Sequence, residues 1–278
     1  MKILRVFPKR TSYTPDDEMV VIGLPQFEIP DHDEIHISCT FTWDKAMCEE
    51  LKFQWEGRTN KPILLNGVAY GSEVSNFVQG LYIKPNIIFT SRGCNNNCPW
   101  CMVHKIEGKL KEIQICQGNW IQDNNFLQNS KIHKEKVFNM LRTQKGICFK
   151  GGLETDLIDD HFIDNITSLS IKELWLACDT DGALPKTKIA IEKLTKAGFN
   201  RRKIRCYALI GDNMAKNENR LRQIYETGAI PSAQLYRDFS DIKKQYSLDW
   251  NKFERMWQRP AATIAHMEKG TSYNDYNT

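Results

Sequence analysis

Over the first eighty residues, apolar runs of strand length alternate with polar stretches. Met19–Pro25 (MVVIGLP) is one apolar run, and Glu34–Trp43 (EIHISCTFTW) alternates apolar and polar positions. Lys61–Gly71 (KPILLNGVAYG) is apolar again and stops at glycine. Between the last two, residues 44–57 (DKAMCEELKFQWEG) predict a helix. Asp44 is placed to cap it by accepting from the free backbone amides of the first turn. Strand, helix, strand, glycine is the order of a small α/β unit with a parallel sheet.

From residue 84 the pattern becomes regular. NIIFTSRG (86–93) predicts a strand, LKEIQICQG (110–118) a second, and residues 131–143 a helix. GICFKGG (146–152) is a third strand, followed by the helical stretch 156–170. IKELWLACD (171–179) and residues 185–199 repeat the pair, as do RRKIRCYALIGD (201–212) and residues 217–229. SAQLYRD (232–238) is the sixth strand. Strands alternating with helices build parallel βαβ units with right-handed crossovers. The expected fold is α/β: an incomplete (β/α)6 TIM-like barrel preceded by a small α/β region, with a doubly wound sheet as the alternative. In both, chemistry gathers at the C-terminal ends of the strands. The expected boundaries are 1–83 for the N-terminal region and 84–245 for the barrel. Residues 246–278 are expected as a C-terminal helix that loses its periodicity and becomes a mobile tail.

Composition narrows the class. With 41% hydrophobic and 26% charged residues among 278, a sizeable core is expected and global disorder is not. No apolar run reaches membrane-span length. The N-terminal MKILRVFPKR is too short in its apolar part, and too soon basic, for a secretory signal. A cytoplasmic protein with no membrane partner is expected. A net charge of +4 permits an acidic or nucleic-acid substrate without demanding one.

The chemistry concentrates in SRGCNNNCPWCMVHK (91–105), where Cys94, Cys98 and Cys101 fall within eight residues. The other six cysteines (Cys39, Cys48, Cys116, Cys148, Cys178 and Cys206) are scattered singly through mostly apolar segments. That distribution argues against a disulfide scaffold and for buried thiols that pack as small hydrophobes. Three readings of the trio stand side by side. Zinc needs a fourth ligand, which His104 could supply. The thiols could lie together by chance. A [4Fe–4S] cluster on three thiolates would leave one iron open.

Cys-x3-Cys-x2-Cys with Trp100 before the last cysteine, directly after a first barrel strand, resembles the signature of the radical S-adenosylmethionine (radical SAM) enzymes. The likeness is strong over residues 87–102 and looser elsewhere. It implies that Cys94, Cys98 and Cys101 hold a [4Fe–4S] cluster and that SAM chelates the fourth iron. SAM is then cleaved to methionine and a 5′-deoxyadenosyl radical that takes hydrogen from a substrate. An electron donor such as flavodoxin or ferredoxin is implied as partner. Trp100 would lie against the adenine. The family carries a GGE-type motif at the end of its second strand; here QGNWIQD offers Gly118 and Asn119, and KGGLE after the third strand offers Gly151, Gly152 and Glu154. Asp179 and Asp181 are candidates for ribose contacts, Ile210 and Gly211 for the adenine side, and Tyr236 and Arg237 for the far side of the site.

The N-terminal region resembles a reduced form of the cobalamin-binding-type domain that precedes the barrel in one branch of the family, and IQDNNF (121–126) resembles a segment of the same branch. No D-x-H-x-x-G is present, and Gly67 and Gly71 are too little to imply cobalamin. No run of clustered cysteines follows the barrel to suggest an auxiliary metal site. The substrate is left open among a small molecule, a peptide and a nucleic acid. The competing function class is a zinc- or iron–sulfur-bearing binding or structural protein, possible also in association with nucleic acid.

Overall fold

The computed structural model describes residues 1–71, 78–270 and 272–273. The fold is α/β, with parallel sheets and alternating helices. The chain divides into two compact units, and the division is discontinuous in sequence. The first comprises Met1–Ile88, Arg92–Lys109 and Asp238–Lys244; the second comprises Phe89–Ser91, Leu110–Arg237 and Gln245–Thr278. The cysteine segment thus groups with the N-terminal region. Among the described residues no helix is long and apolar enough to cross a membrane.

In the first unit, β1 (Ile3–Phe7), β2 (Val20–Ile22), β3 (Glu34–Ser38) and β4 (Ile63–Asn66) form a sheet in the order β2-β1-β3-β4, parallel throughout. The basic-apolar N-terminus supplies β1, a central strand, because Leu4 and Val6 are fully buried against the core. Helix α1 (Lys45–Glu56) buries Cys48, Leu51 and Trp55, which the 3.6-residue period brings to one side. They pack with Leu4, Val6, Ile35 and Ile37. Asp44 stands at the start of α1, but its side chain makes no capping hydrogen bond. It already has helical backbone angles within a 3-10 turn, Thr42–Asp44, and its carboxylate accepts instead from Lys9 Nζ at 2.8 Å. The short strand β5 (Ile87–Ile88) is buried.

A short strand β6 (Ser91–Arg92) opens the cysteine segment, which contains helix α2 (Val103–Ile106) and is followed by β7 (Lys111–Glu112). In the second unit, β8 (Trp120–Ile121), β9 (Ile147–Leu153), β10 (Ile171–Ala177), β11 (Ile204–Ile210) and β12 (Ile230–Leu235) lie in the order β12-β11-β10-β9-β8, all parallel. No closed barrel forms among the described residues. Helices α3 (Lys131–Leu141), α4 (Asp160–Thr167), α5 (Leu184–Lys196) and α6 (Met214–Thr227) make the crossovers. Ser130, Asp159 and Asn213 cap α3, α4 and α6 by accepting the amides of His133, Phe162 and Lys216. Phe126, Phe138, Phe149 and Phe162 pack between sheet and helices with ring centroids 5.0–6.4 Å apart.

Two expectations are corrected. The second strand is not Leu110–Gly118. Only Lys111–Glu112 is extended there, and the strand paired with β9 is Trp120–Ile121. Apolar alternation marks the side a strand would bury, whereas the backbone partner decides where the ladder runs. The stretch after residue 258 is a further helix, not a tail. Helix α7 (Leu248–Gln258) is followed at once by α8 (Pro260–Lys269), and Pro260 at its first turn resets the periodicity. Tyr273 is buried, its amide donating to Glu218 at 2.9 Å. The rest of the expected tail, residues 271 and 274–278, lies outside the described residues.

Candidate functional site

The cysteine segment is closed on itself by one carboxylate. Glu107 accepts from the Arg92 guanidinium at 2.6 Å and from the Gly93 amide at 2.9 Å. Both charged side chains are about nine-tenths buried, at 10% and 8% exposure. The Cys94 amide then donates to Gly108 O at 3.1 Å. Gly93 is required here: its φ is +78°, and a Cβ would stand 2.3 Å from Lys109 O. Residues 92–109 therefore form a loop whose two ends meet at Glu107, Gly108 and Lys109.

Within that loop Cys94, Cys98 and Cys101 are half-buried, and none is in a disulfide. Cys98 O accepts from the Cys101 amide at 3.0 Å, a tight turn between the last two thiols. The Asn96 amide donates to Cys94 Sγ at 3.5 Å. Trp100 is half-buried beside them in sequence. His104 lies on α2, and its Nδ1 is buried with no hydrogen-bond partner among the described residues. Among the described residues no group of three His, Cys, Asp or Glu side chains is arranged to hold a metal ion. The donor chemistry of the trio fits an iron–sulfur cluster: three accessible thiols on a short, clamped loop, one of them already facing an amide.

The second unit carries the remaining candidates. Gly151 and Gly152 lie in the last residues of β9, which ends at Leu153, and Glu154 follows. Glu154 Oε2 accepts from Asn125 Nδ2 at 2.7 Å and from Gln128 Nε2 at 3.0 Å, so two amides fix the direction of the carboxylate. Gly151 permits a close approach, since a Cβ would fall 1.5 Å from Asp123 O. Asp179 follows β10 and accepts from the Leu209 amide at 3.2 Å. Asp181 is held in ion pairs with Arg220 at 2.8 Å and Lys216 at 3.2 Å. Ile210 ends β11, its carbonyl accepting from the Tyr236 amide at 2.9 Å. Gly211 backs onto Tyr246, whose hydroxyl donates to Tyr236 O at 2.5 Å. The Arg237 guanidinium lies 5.8 Å from the Tyr246 ring centroid.

Gly118 and Asn119 are not brought to this end. They precede β8, and Asn119 bonds to residues at the start of β9: its carbonyl accepts from Cys148 N, and its Nδ2 donates to Lys145 O, both at 2.8 Å. The place after β8 belongs to Gln122–Asn125. That polar run contains Asp123, 1% exposed, to which the sequence reading gave no role. Asp123 accepts from Thr90 N and Thr90 Oγ1, each at 2.5 Å, and from Ser91 Oγ at 2.9 Å. Burial pushes its carboxyl above the usual carboxylate range, and the Thr90 and Ser91 donors oppose that shift. His133 Nε2 bonds Thr90 O at 2.9 Å, and Asn129 Nδ2 donates to Ser91 Oγ at 3.1 Å. The two residues immediately before the cysteine loop are thus fixed by a buried polar network. Nothing local marks Glu107; for Asp123 the one available signal is the density of polar residues in QDNN directly after an apolar strand.

The chain matches no family model and no curated protein.

Proposed function

We propose that the protein is a radical SAM-type enzyme in which Cys94, Cys98 and Cys101 hold a [4Fe–4S] cluster, built on an incomplete six-stranded barrel. The observation that carries this reading is the clamped loop of residues 92–109, with three half-buried thiols and an amide directed at Cys94 Sγ. When bound, the cluster and SAM supply one-electron reductive cleavage of SAM to methionine and a 5′-deoxyadenosyl radical, which removes hydrogen from the substrate.

The chain's own residues bind and orient. Arg92, Gly93 and Glu107 hold the loop ends, which shortens the span of chain that would have to reorder to bring the three thiols onto a cluster. Trp100 offers a flat surface for adenine. Glu154, aimed by Asn125 and Gln128, is a fixed acceptor for a cationic amine. Gly151 and Gly152 leave room beside it, and Asp179, Ile210 and Gly211 mark the ends of neighbouring strands. Asp181, engaged by Arg220 and Lys216, is better suited to holding α6 than to a ligand hydroxyl. The reading requires an electron donor such as flavodoxin or ferredoxin and leaves the substrate unassigned. The parallel sheet of the first unit supports its comparison with a reduced cobalamin-type domain.

One observation favours a second reading, a zinc-bearing binding or structural protein: His104 Nδ1 is buried without a partner among the described residues, and His104 is three residues after Cys101. Anaerobic reconstitution separates the two. About four iron and four sulfide per chain are expected, with 5′-deoxyadenosine released on adding SAM and a strong reductant. Cys98→Ala is expected to abolish both. One equivalent of tightly held zinc, with no SAM cleavage after reconstitution, refutes the enzyme reading.

A further inference from the structure

One face of the second unit's sheet carries a set of side chains that the strand-end chemistry leaves unused. The strand register puts Trp120 beside Cys148, Cys148 beside Glu173, and Trp175 beside Arg205. Lys150 lies two residues beyond Cys148, on the same face. Lys150 Nζ stands 4.5 Å from the ring centroid of Trp120 and 5.1 Å from that of Trp175, and 3.1 Å from the Glu173 carboxylate. Trp175 Nε1 donates to that carboxylate at 2.9 Å. The Tyr207 ring packs against Trp175 with centroids 4.4 Å apart and planes tilted by 31°, and its hydroxyl donates to Lys150 O at 3.2 Å.

The opposite face shows what a sealed side of this sheet looks like. Phe149, Leu174, Leu176, Ile204, Cys206 and Ala208 are at most 1% exposed. The face in question has two indoles, a phenol, two cations and one carboxylate on β8 to β11, and all six keep partial exposure. Tryptophan, tyrosine and arginine are the side chains that ligand-binding surfaces favour, and fully buried sheet faces favour aliphatics.

The charges on this face do not balance. Lys150 and Arg205 share Glu173, Lys150 at 3.1 Å and Arg205 at 3.9 Å on the other oxygen. Among the described residues one positive charge on this face is left over. Arg205 Nε is buried and has no hydrogen-bond partner among the described residues. Burial lowers the Arg205 guanidinium from its usual value, and Glu173 only partly offsets this. An anion would complete the set, and a flat one could pack against the Trp175 and Tyr207 rings.

We propose that this face binds an aromatic anion, its ring against Trp175 and Tyr207 and its anionic group on the Arg205 guanidinium. The chemistry is shared by a nucleoside monophosphate and an aromatic carboxylate. The site goes beyond the cluster reading and does not depend on it, since it can be tested on protein handled in air.

The experiment is isothermal titration of the full-length protein with guanosine 5′-monophosphate and with indole-3-carboxylate. Guanosine and inorganic phosphate serve as ring-only and anion-only controls. Saturable binding of at least one aromatic anion is expected, with its ring-only and anion-only controls weaker by about tenfold or more, the scale of one hydrogen bond to a charged group. Preference between the two probes identifies phosphate or carboxylate as the anionic group. Arg205→Gln is expected to weaken binding by about tenfold or more, and Glu173→Gln to tighten it by removing a competing carboxylate. Absence of saturable binding of either probe to folded wild-type protein overturns the proposal. So does a result in which both variants weaken binding in step with a loss of thermal stability, which is the behaviour of a purely structural network. The wild-type comparison of whole and half probes decides the matter even where a variant does not fold.

Discussion

Glu107→Ala removes the side chain that joins the two ends of the cysteine loop. In the wild type the carboxylate neutralises Arg92 at 2.6 Å and accepts the Gly93 amide at 2.9 Å, with both charged side chains about nine-tenths buried. Breaking a buried ion pair from one side costs about 3–5 kcal/mol, because the remaining charge is left without compensation. All three partners lie within residues 92–109, so the cost falls on opening of the loop before it falls on global unfolding. Taking about 3 kcal/mol, at roughly 1.4 kcal/mol per factor of ten, the opening equilibrium rises by about a hundredfold. Amide hydrogen exchange reads this directly at Gly93 and at Cys94, whose amide bonds Gly108 O at 3.1 Å. Both are expected to exchange about a hundredfold faster in Glu107→Ala, while amides in β10 and β11 stay as protected as before. Glu107→Gln keeps an acceptor for Gly93 but loses the charge, and is expected to fall between. If Gly93 and Cys94 in Glu107→Ala stay within about threefold of wild type, the loop is not held by this carboxylate and the account of its preorganisation fails.

Thiol labelling of the native, metal-free protein is expected at no more than the four half-buried cysteines, Cys94, Cys98, Cys101 and Cys116, and mass mapping would locate it. Cys148 is pushed up to about 11 by burial, with Glu173 adding to the shift, so rapid labelling of it near neutral pH contradicts the packing described. Gly151→Ala places a Cβ where Asp123 O stands; calorimetry is expected to show a Tm lower by about 5 °C or more, and an unchanged Tm refutes the close approach. Glu173 is held below its ordinary value of 4.5 by Trp175 and Lys150, which outweigh the opposing effect of burial. Its ionised form therefore stabilises the fold above that value, and the contribution is lost as pH falls through the lower, folded value. Denaturant titration should show wild type more stable than Glu173→Gln at neutral pH and the gap closing below the ordinary carboxylate range; a constant gap refutes the ion-pair role.

The legibility of the fold follows from which features are local. Strands β9 to β12 were readable because each combines a short apolar run with a polar or glycine stop and a helix after it. β1 was not, because Ile3–Phe7 is five residues flanked by basic ones, and only its pairing with β2 and β3 shows it to be central. The shift of the second strand to Trp120–Ile121 moved Gly118 and Asn119 to the beginning of the strands and brought Asp123 and Asn125 to their end. At the N-terminal helix, Asp44 has the right residue type for a cap and the wrong backbone, since the preceding 3-10 turn turns its side chain toward Lys9.

The sequence by itself determined the α/β class, the strand–helix alternation from β9 to β12, and the spacing of Cys94, Cys98 and Cys101, because periodicity and short motifs are properties of neighbouring residues. The tertiary structure decided what those residues meet. It closed residues 92–109 through Glu107, placed Asp123 under Thr90 and Ser91, aimed Glu154 through Asn125 and Gln128, and lined Trp120, Lys150, Glu173, Trp175, Arg205 and Tyr207 along one sheet face. Each of those contacts joins positions more than ten residues apart or lying on different strands. Such pairings depend on strand register and chain crossover, which no local pattern of apolar and polar residues encodes.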